Sequence, residues 1–175
     1  KSAGLIEDTK IASTSYGMGI ANQLQEDAIG GVFNNGQGYW YSLDNKINNE
    51  FREEYLKRFG KIPPARAGGN YTAIQIIAEA ANRAGTVDET DEIIATLETE
   101  TFQTVYGDTS FRRLDHQAIN NVPVGRLEKS EAPKWLTMKN KNIVDGNELI
   151  RSIDDMKEIL CETDNKRLQQ ACQSA

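Results

Sequence analysis

The sequence predicts an α/β fold in which a parallel sheet layer is flanked by helices. A strand, a loop, a helix and a second strand follow one another near the start of the chain, and this order is typical of parallel sheets. Two amphipathic helices joined by a proline-containing loop then occupy residues 47–85. The composition agrees with a folded protein, since 38% of the 175 residues are hydrophobic and 26% are charged.

The first α/β unit begins with a strand predicted at residues 10–12. A hydroxyl-rich loop follows at residues 13–16. Ile20 and Leu24 are four residues apart, which predicts a short helix. Residues 27–33 have the pattern of a turn that leads into a buried strand, and this strand completes the unit.

The first long helix is predicted to begin near Asp44 and to end at Gly60. Apolar residues recur at helical spacing from Ile47 to Phe59, so one face of the helix should be buried. Glycine suits the left-handed conformation that closes many helices, and the prolines that follow cannot continue the helical hydrogen bonds.

The second long helix is predicted to begin after Asn70, because Asn is a favourable N-cap residue, and to end at Gly85. Small and apolar side chains at helical spacing form a stripe that should pack closely against the rest of the fold. The members of this stripe are Tyr71, Ile74, Ile77, Ala78 and Ala81.

The remaining chain is predicted to contain a third helix, two strands and a final helix. Thr86 and Glu89 form a capping box at the start of the third helix. β-branched and aromatic residues predict strands at residues 102–106 and 121–127, and apolar spacing predicts an amphipathic helix at residues 149–160.

The charge and hydropathy of the chain exclude two classes of function. A net charge of −6 and a pI near 4.9 argue against a nucleic-acid partner, because phosphate binding requires a basic surface. No apolar run approaches the roughly 20 residues that cross a bilayer. The chain opens on Lys1 without an initiator methionine or a signal-peptide pattern, so further residues are expected upstream.

Signatures of catalysis are nearly absent, and no catalytic residue, metal ligand or cofactor is predicted. His116 is the only histidine, so a zinc site with several histidines is excluded. Asp115 precedes it and could orient it as a base, but a turn in which the histidine bonds to the backbone is the favoured interpretation, because no nucleophile stands nearby.

The helix pair carries a resemblance to a known family. Its positions match a motif in which a helix ending in an aromatic residue and glycine is followed by proline and a tyrosine-headed, alanine-rich helix. The matching residues are Tyr55, Phe59, Gly60, Pro63, Tyr71, Ala73, Ala84, Gly85 and Thr86. The combination resembles the type I periplasmic solute-binding proteins, which include the branched-chain amino acid, amide and urea receptors of ABC transporters. The resemblance extends over residues 1–128 and includes the turn at residues 115–117.

The resemblance implies a partial type I periplasmic-binding-protein fold, in which the chain crosses between two hinged lobes. Residues 1–38 would belong to the second lobe, and residues 39–114 to the hinge and the first lobe. Residues 115–175 would return to the second lobe and add a C-terminal helical extension. Neither lobe would be complete, so a missing N-terminal portion of the same protein is an expected partner.

The function implied by the resemblance is binding rather than catalysis. A protein of this family captures a small polar ligand, such as an amino acid, an amide or a urea-like compound, and delivers it to an ABC permease in the membrane. Its location would be periplasmic or extracellular, associated with the membrane through the transporter. The alternative is a cytoplasmic sensor of small amides that has the same fold and regulates another protein.

The candidate ligand-binding residues are Ser13, Thr14, Ser15, Tyr16, Tyr39 and Trp40. Hydroxyl groups after a strand can donate or accept hydrogen bonds to a polar ligand. The loop at residues 13–16 has no carboxylate to bind an ammonium group, which disfavours an amino acid and leaves amides and urea-like compounds open. The two aromatic residues lie at the predicted crossover, where they either line the cleft or pack the hinge.

The only two cysteines are Cys161 and Cys172. Their spacing suits a local disulfide across the end of the chain, and an even number of cysteines is typical of proteins in an oxidising compartment. The alternative is a pair of unpaired thiols.

Overall fold

A computed structural model of the chain describes residues 9–35, 40–132 and 134–162, apart from the side chain of Trp40. Two sheets lie in this part of the chain. The first sheet has the order β1-β2-β6-β7, and its strands are Ala12–Ser13, Phe33–Asn35, Val122–Lys129 and Leu136–Val144. The second sheet has the order β3-β4-β5, and its strands are Phe102–Thr104, Gly107–Arg112 and Gln117–Asn120.

Six α-helices accompany the sheets in the described residues. In chain order the helices α1 to α6 are Met18–Leu24, Lys46–Phe59, Ala65–Ala84, Thr90–Thr99, Gly146–Leu149 and Ile153–Glu162. Helices α2, α3 and α4 follow one another between β2 and β3. No helix of the described residues is both long enough and apolar enough to cross a bilayer.

The α/β fold class is confirmed, but within the described residues parallel pairing is confined to β1 and β2. Strand β6 pairs antiparallel with β2 and with β7. A short connection joins β6 to β7, and strands joined in that way can pair only antiparallel. Strand β7 is not predicted from the sequence, because its lysine and asparagine residues at positions 139–142 interrupt the apolar pattern of a buried strand.

Helix α2 is confirmed at both ends to within two residues. The side chain of Asn45 accepts a hydrogen bond from the backbone N–H of Asn48 at 2.9 Å, so Asn45 is the N-cap. Gly60 closes the helix with a φ of +64°, the left-handed conformation that the sequence predicts for it. Asn45 also donates to the carbonyl of Val105 at 3.1 Å, which ties the helix to the turn between β3 and β4.

The predicted start of α3 is wrong, whereas its predicted end is confirmed. The helix begins at Ala65 after Pro64, so Asn70 lies inside it rather than at its cap. Proline is tolerated at a helix start because the first N–H groups have no acceptor within the helix, and the alanines that follow favour helix. Gly85 ends the helix in the left-handed conformation, with a φ of +74°.

The predicted buried face of α3 is also wrong. Ile74 and Ile77 of the predicted stripe are 71% and 56% exposed, and Tyr71 is 41% exposed. The buried residues of the helix are Gly68, Thr72, Ile76 and Ala80. This face packs against β3 and α4, where Ile76 and Ala80 join Phe102 in the smaller core. Ile74 and Ile77 belong to neither core in the described residues, whereas the ring of Tyr71 stacks on that of Phe51 at 4.4 Å.

Two hydrophobic cores hold the described residues together. The larger core joins α1, the segment before α2, the first sheet and the turn between β3 and β4, and its buried members are Met18, Ala21, Ala28, Leu43, Val105, Leu127, Leu136 and Met138. The smaller core joins α3, α4 and the second sheet around Ile76, Ala80 and Phe102. The turn between β3 and β4 therefore links the second sheet to the larger core through Val105.

The other predicted helices are present with shifted boundaries. The hydroxyl of Thr86 accepts from the backbone N–H groups of Asp88 and Glu89, as in a capping box, but α4 begins four residues later at Thr90. The predicted final helix is divided into α5 and α6. Cys161 lies in α6 and Cys172 lies outside the described residues, so the disulfide stays a prediction.

Candidate functional site

A cavity of about 490 Å³ lies between the loop after β1 and the amino-terminal part of α3. Its walls come from three separate segments of the chain: the loop, the first two turns of α3, and the turn between β3 and β4. The lining residues are Thr14, Ser15, Gly17, Ala65, Arg66, Gly69, Asn70 and Tyr106. The cavity therefore has the first sheet's loop on one side and elements of the second sheet's unit on the other.

Ser13 shapes the loop from within. Its hydroxyl oxygen accepts hydrogen bonds from the backbone N–H groups of Ser15 and Tyr16 at 3.3 and 3.1 Å. A serine side chain that bonds to the backbone two and three residues later fixes a tight turn. The hydroxyl of Ser13 is therefore engaged in holding the loop, and Ser13 does not line the cavity.

Tyr16 and Asn34 anchor the two ends of the loop. The hydroxyl oxygen of Tyr16 accepts from the backbone N–H of Ile29 at 2.6 Å, and its ring packs against the larger core. The amide of Asn34, which is 3% exposed, donates to the carbonyls of Ser13 and Tyr16 at 2.6 and 3.1 Å. These contacts pin the backbone on both sides of Thr14 and Ser15.

Thr14 and Ser15 lie on the cavity side of this anchored loop. Both residues are exposed, and neither side-chain hydroxyl has a hydrogen-bond partner within the described residues. The four candidate residues of the loop thus divide into two groups. Ser13 and Tyr16 hold the loop, whereas Thr14 and Ser15 offer free hydroxyls to the cavity.

The aromatic candidates cannot be assigned to a wall of the cavity. Tyr39 and the side chain of Trp40 lie outside the described residues. The neighbouring Tyr41 lies away from this cavity, and the guanidinium of Arg52 stacks over its ring at 4.7 Å. Burial raises the pKa of Tyr41 above its usual value, and Arg52 partly opposes this effect.

The wall of the cavity formed by α3 and the turn between β3 and β4 was not predicted from the sequence. Arg66 and Asn70 are four residues apart, so they share one face of α3 and both line the cavity. The Tyr106 hydroxyl would be 3.6 Å from a Cβ at Gly69, which shows how closely the turn approaches the helix. The spacing of four residues between Arg66 and Asn70 could have predicted that both lie on one helix face. The prediction that Asn70 is an N-cap placed Arg66 outside the helix and hid this spacing.

The described residues that line the cavity carry one formal charge, and it is positive. Arg66 is the only one of them that is charged at neutral pH. The half-buried Tyr106 keeps its proton, because burial raises the pKa of its hydroxyl. The side chains of Arg66, Asn70 and Tyr106 have no hydrogen-bond partner within the described residues, so they are available to a bound molecule.

The Asp115–His116 pair does not form a catalytic dyad. Both oxygens of Asp115 accept hydrogen bonds from Arg112, at 2.9 and 2.5 Å. The Nε2 atom of His116 lies 2.8 Å from a carboxylate oxygen of Glu98, and its backbone N–H donates to the carbonyl of Arg112. The described residues also contain no cluster of three or more metal-binding side chains.

Comparison with known proteins gives one family match. The sequence profile of a family described as periplasmic binding protein matches residues 1–132, which is more than half of the chain. A comparison with curated proteins finds no significant match.

Solved structures with similar folds include three binding or transport proteins. A branched-chain amino acid ABC-type transporter protein from Rhodopseudomonas palustris CGA009 has 22% identity and a TM-score of 0.68, over 79% of this chain and 37% of that chain. A solute-binding protein of an ABC transporter from Rhodopseudomonas palustris BisB5, in complex with 3,4-dihydroxybenzoic acid, has 20% identity and a TM-score of 0.70, over 88% and 41%.

The third structure is the leucine-, isoleucine-, valine-, threonine- and alanine-binding protein from Brucella ovis in its closed conformation. It has 22% identity and a TM-score of 0.65, over 87% of this chain and 40% of that chain. The chain therefore shares its fold with these proteins and spans between 37% and 41% of their length.

Proposed function

The chain belongs to the periplasmic binding protein family, and from this premise we propose that it is part of an extracytoplasmic solute-binding protein that supplies an ABC importer. Its ligand is a small polar molecule, captured without covalent chemistry. The closed form of the protein is then recognised by the permease in the membrane.

The observation that carries this proposal is the cavity between the residue 14–17 loop and α3. A volume of about 490 Å³ is within the range of small-molecule sites. Polar side chains without protein partners converge on it from both sides, and the loop that carries two of them is anchored from behind by Ser13, Tyr16 and Asn34. Anchored polar groups around an open space are suited to binding a solute.

We propose that the chain divides between two lobes, as the resemblance implies for residues 1–38, 39–114 and 115–175, but with the last boundary moved towards the C-terminus. The pairing of β2 with β6 supports this division, because it joins the early and late parts of the chain in one sheet. Strand β5 pairs with β4 of the other sheet, which favours a return of the chain near Asn121 rather than at Asp115. The cavity would then lie between the lobes, and hinge closure would enclose the ligand.

We also propose that another portion of the same protein covers the exposed apolar face of α2 and α3. The residues of this face that are 40% or more exposed are Leu56, Phe59, Tyr71, Ile74 and Ile77. A group of exposed apolar side chains on a folded protein is typical of a contact surface. The solved relatives are more than twice as long as the part that the chain matches, which supports a covering segment from the same polypeptide.

The ligand class is proposed from both the cavity and the similar proteins. The names of the similar proteins mention branched-chain and other amino acids and an aromatic acid. Hydroxyl and amide groups at the cavity can donate and accept, which suits amino acids, amides or urea-like molecules.

The proposed location is periplasmic or extracellular. An oxidising compartment would favour the predicted disulfide between Cys161 and Cys172. Alkylation of the unreduced full-length protein, followed by mass spectrometry, should leave both cysteines unmodified. Alkylated cysteines together with recovery of the protein in the cytoplasmic fraction would favour the alternative of a cytoplasmic amide sensor.

A thermal-shift screen of the protein produced from its complete gene tests the proposal directly. The panel contains amino acids, short amides, urea and small carboxylates. A ligand at about 100 times its Kd should add about 2.7 kcal/mol to the free energy of unfolding, which is readily measured as a higher Tm. A folded protein whose Tm is unchanged by every compound would contradict a solute-binding role for this cavity.

A further inference from the structure

We propose that Arg66 makes the cavity select a ligand that carries a carboxylate and disfavour a ligand whose only charge is an ammonium group. The inference rests on the proposed function, because it takes the cavity between the residue 14–17 loop and α3 as the solute site. It assigns to Arg66 the role of setting the charge of the ligand.

The first reason is the sign of the charge in the cavity. Arg66 brings one positive charge, and no aspartate or glutamate lies among the described residues that line the cavity. A carboxylate that enters the cavity meets an opposite charge, whereas an ammonium group meets a like charge and no counterion. The amino-terminal end of α3, where Arg66 lies, adds the positive end of a helix dipole to the same side.

The second reason is that Arg66 is unengaged. Its guanidinium has neither an ion pair nor a hydrogen bond within the described residues. Five other described arginines are bound to carboxylates or backbone carbonyls, whereas Arg126 and Arg151 have no such partner in the part of the chain that the structure describes and do not line the cavity; the five are Arg52, Arg58, Arg83, Arg112 and Arg113. The arginine at the cavity is thus not committed to holding the fold, and its donors remain available.

The third reason is the geometry of the neighbouring groups. A guanidinium presents two parallel N–H donors that match the two oxygens of a carboxylate. Asn70, one helical turn from Arg66, and the hydroxyls of Thr14 and Ser15 can donate further hydrogen bonds to the same group. Every side chain that contributes a polar atom to the cavity can therefore act as a donor, and donors are what an anion requires.

The arrangement also ranks ligands that share one carbon skeleton. Isocaproate has the skeleton of leucine without its ammonium group, isocaproamide is its neutral counterpart, and isoamylamine has only the ammonium group. Benzoate, benzamide and benzylamine form a second series. In each series we expect the carboxylate to bind most tightly and the amine least tightly, with leucine weaker than isocaproate.

The test is calorimetric titration of these seven compounds into the full-length protein and two variants. Arg66→Gln removes the charge and keeps a side chain of similar length. Arg126→Gln is the matched control, because Arg126 is another exposed arginine, lies on β6 and does not line the cavity. Circular dichroism spectra establish that both variants are folded.

The expected result is a carboxylate Kd that rises on the order of 10- to 100-fold in Arg66→Gln, as for the loss of a hydrogen-bonded charge partner, and is unchanged in Arg126→Gln. The amide Kd should change less than threefold. Equal carboxylate binding by the wild type and Arg66→Gln, or binding of the amides or amines alone, would overturn the inference and leave the solute-binding proposal intact. Failure of all seven compounds to bind the folded wild type would also overturn the inference, whereas the solute-binding proposal would be contradicted only if the thermal-shift panel failed as well.

Discussion

Asn34 is the single residue on which the shape of the cavity loop most depends. Its buried amide holds two carbonyls of the loop, at Ser13 and Tyr16. Leucine has a similar size but no donor, so Asn34→Leu would leave both carbonyls without these partners. We expect a loss of about 1–3 kcal/mol in the free energy of unfolding, together with weaker ligand binding.

Urea denaturation and ligand titration of the full-length protein measure these two effects. Asn142→Leu is the matched control, because Asn142 is exposed on β7. Its expected effect is within about 0.5 kcal/mol. Equal stability of the two variants would show that the amide of Asn34 does not hold the loop.

The buried ion pair of Arg112 and Asp115 predicts a pH dependence of stability. The hydrogen bonds from Arg112 lower the pKa of Asp115, and the backbone N–H of Gln117 lowers it further. Because the folded-state pKa is below the unfolded value of about 3.9, the pair stabilises the fold above that pH. The stabilisation is lost as the pH falls through the folded-state value.

Denaturation midpoints measured from pH 7 to pH 2 should therefore decrease more steeply in the wild type than in Asp115→Asn. The variant should be less stable at pH 7, since it leaves the charge of Arg112 without its partner. Parallel pH profiles for the two proteins would contradict this role of the pair. His116, which faces Glu98, keeps its environment in the variant.

At the scale of single elements, the helix ends were more predictable than the helix starts. Gly60 and Gly85 have a left-handed backbone that few other residues adopt, so each is a clear local signal. The start of α3 had no such signal, because its N-cap residue is Pro64, whose side chain makes no capping hydrogen bond. The buried face of α3 was equally hidden, since a sequence does not show which of two apolar faces has a partner.

The two closing glycines give a direct test of this argument. No atom lies within 4 Å of a Cβ built at Gly60 or Gly85, so the cost of alanine there comes from the backbone alone. Gly60→Ala should lower the free energy of unfolding by about 1 kcal/mol. Gly19→Ala, inside α1 and with the same open surroundings, should instead be neutral or stabilising by up to about 1 kcal/mol.

Urea denaturation of the two alanine variants beside the wild type gives this comparison. A Gly60→Ala protein as stable as Gly19→Ala would show that the helix end relaxes without strain.

One wall of the candidate site could be predicted from the sequence, and the other could not. A polar loop directly after a strand is a local pattern, so Thr14 and Ser15 could be found from the sequence. Arg66 and Tyr106 reach the cavity only through the packing of α3 and the β3–β4 turn against the loop. The position of that wall depends on contacts between residues about 50 and 90 positions apart, which one sequence does not reveal.

At the scale of the whole molecule, the 175-residue chain alone should unfold with low cooperativity. Its buried apolar residues form two clusters that are linked through the turn between β3 and β4, and Ile74 and Ile77 of α3 are exposed within the described residues. Exposed apolar surface of this kind binds the dye ANS and promotes association. A sharp two-state thermal transition of the isolated chain would contradict the proposed division into lobes.

Replacing both isoleucines of α3 tests whether the face that bears them is exposed in the isolated chain and covered in the full-length protein. Ile74→Lys with Ile77→Glu should lower ANS binding of the isolated chain, yet destabilise the full-length protein by burying two charges. Val87→Lys is the control, because Val87 is 81% exposed and lies outside α3. Unchanged stability of the full-length double variant would show that nothing covers this face.

The loop after β1 has a consequence for how the binding preference of such a protein can change. Anchoring is performed by Ser13, Tyr16 and Asn34, while Thr14 and Ser15 contribute little to the fold. Exchange of these two residues should alter stability by no more than about 0.5 kcal/mol. Substitutions at Thr14 and Ser15 can therefore change which ligand is bound without loss of stability. Such changes can arise by natural drift or by laboratory selection from a library of these two positions.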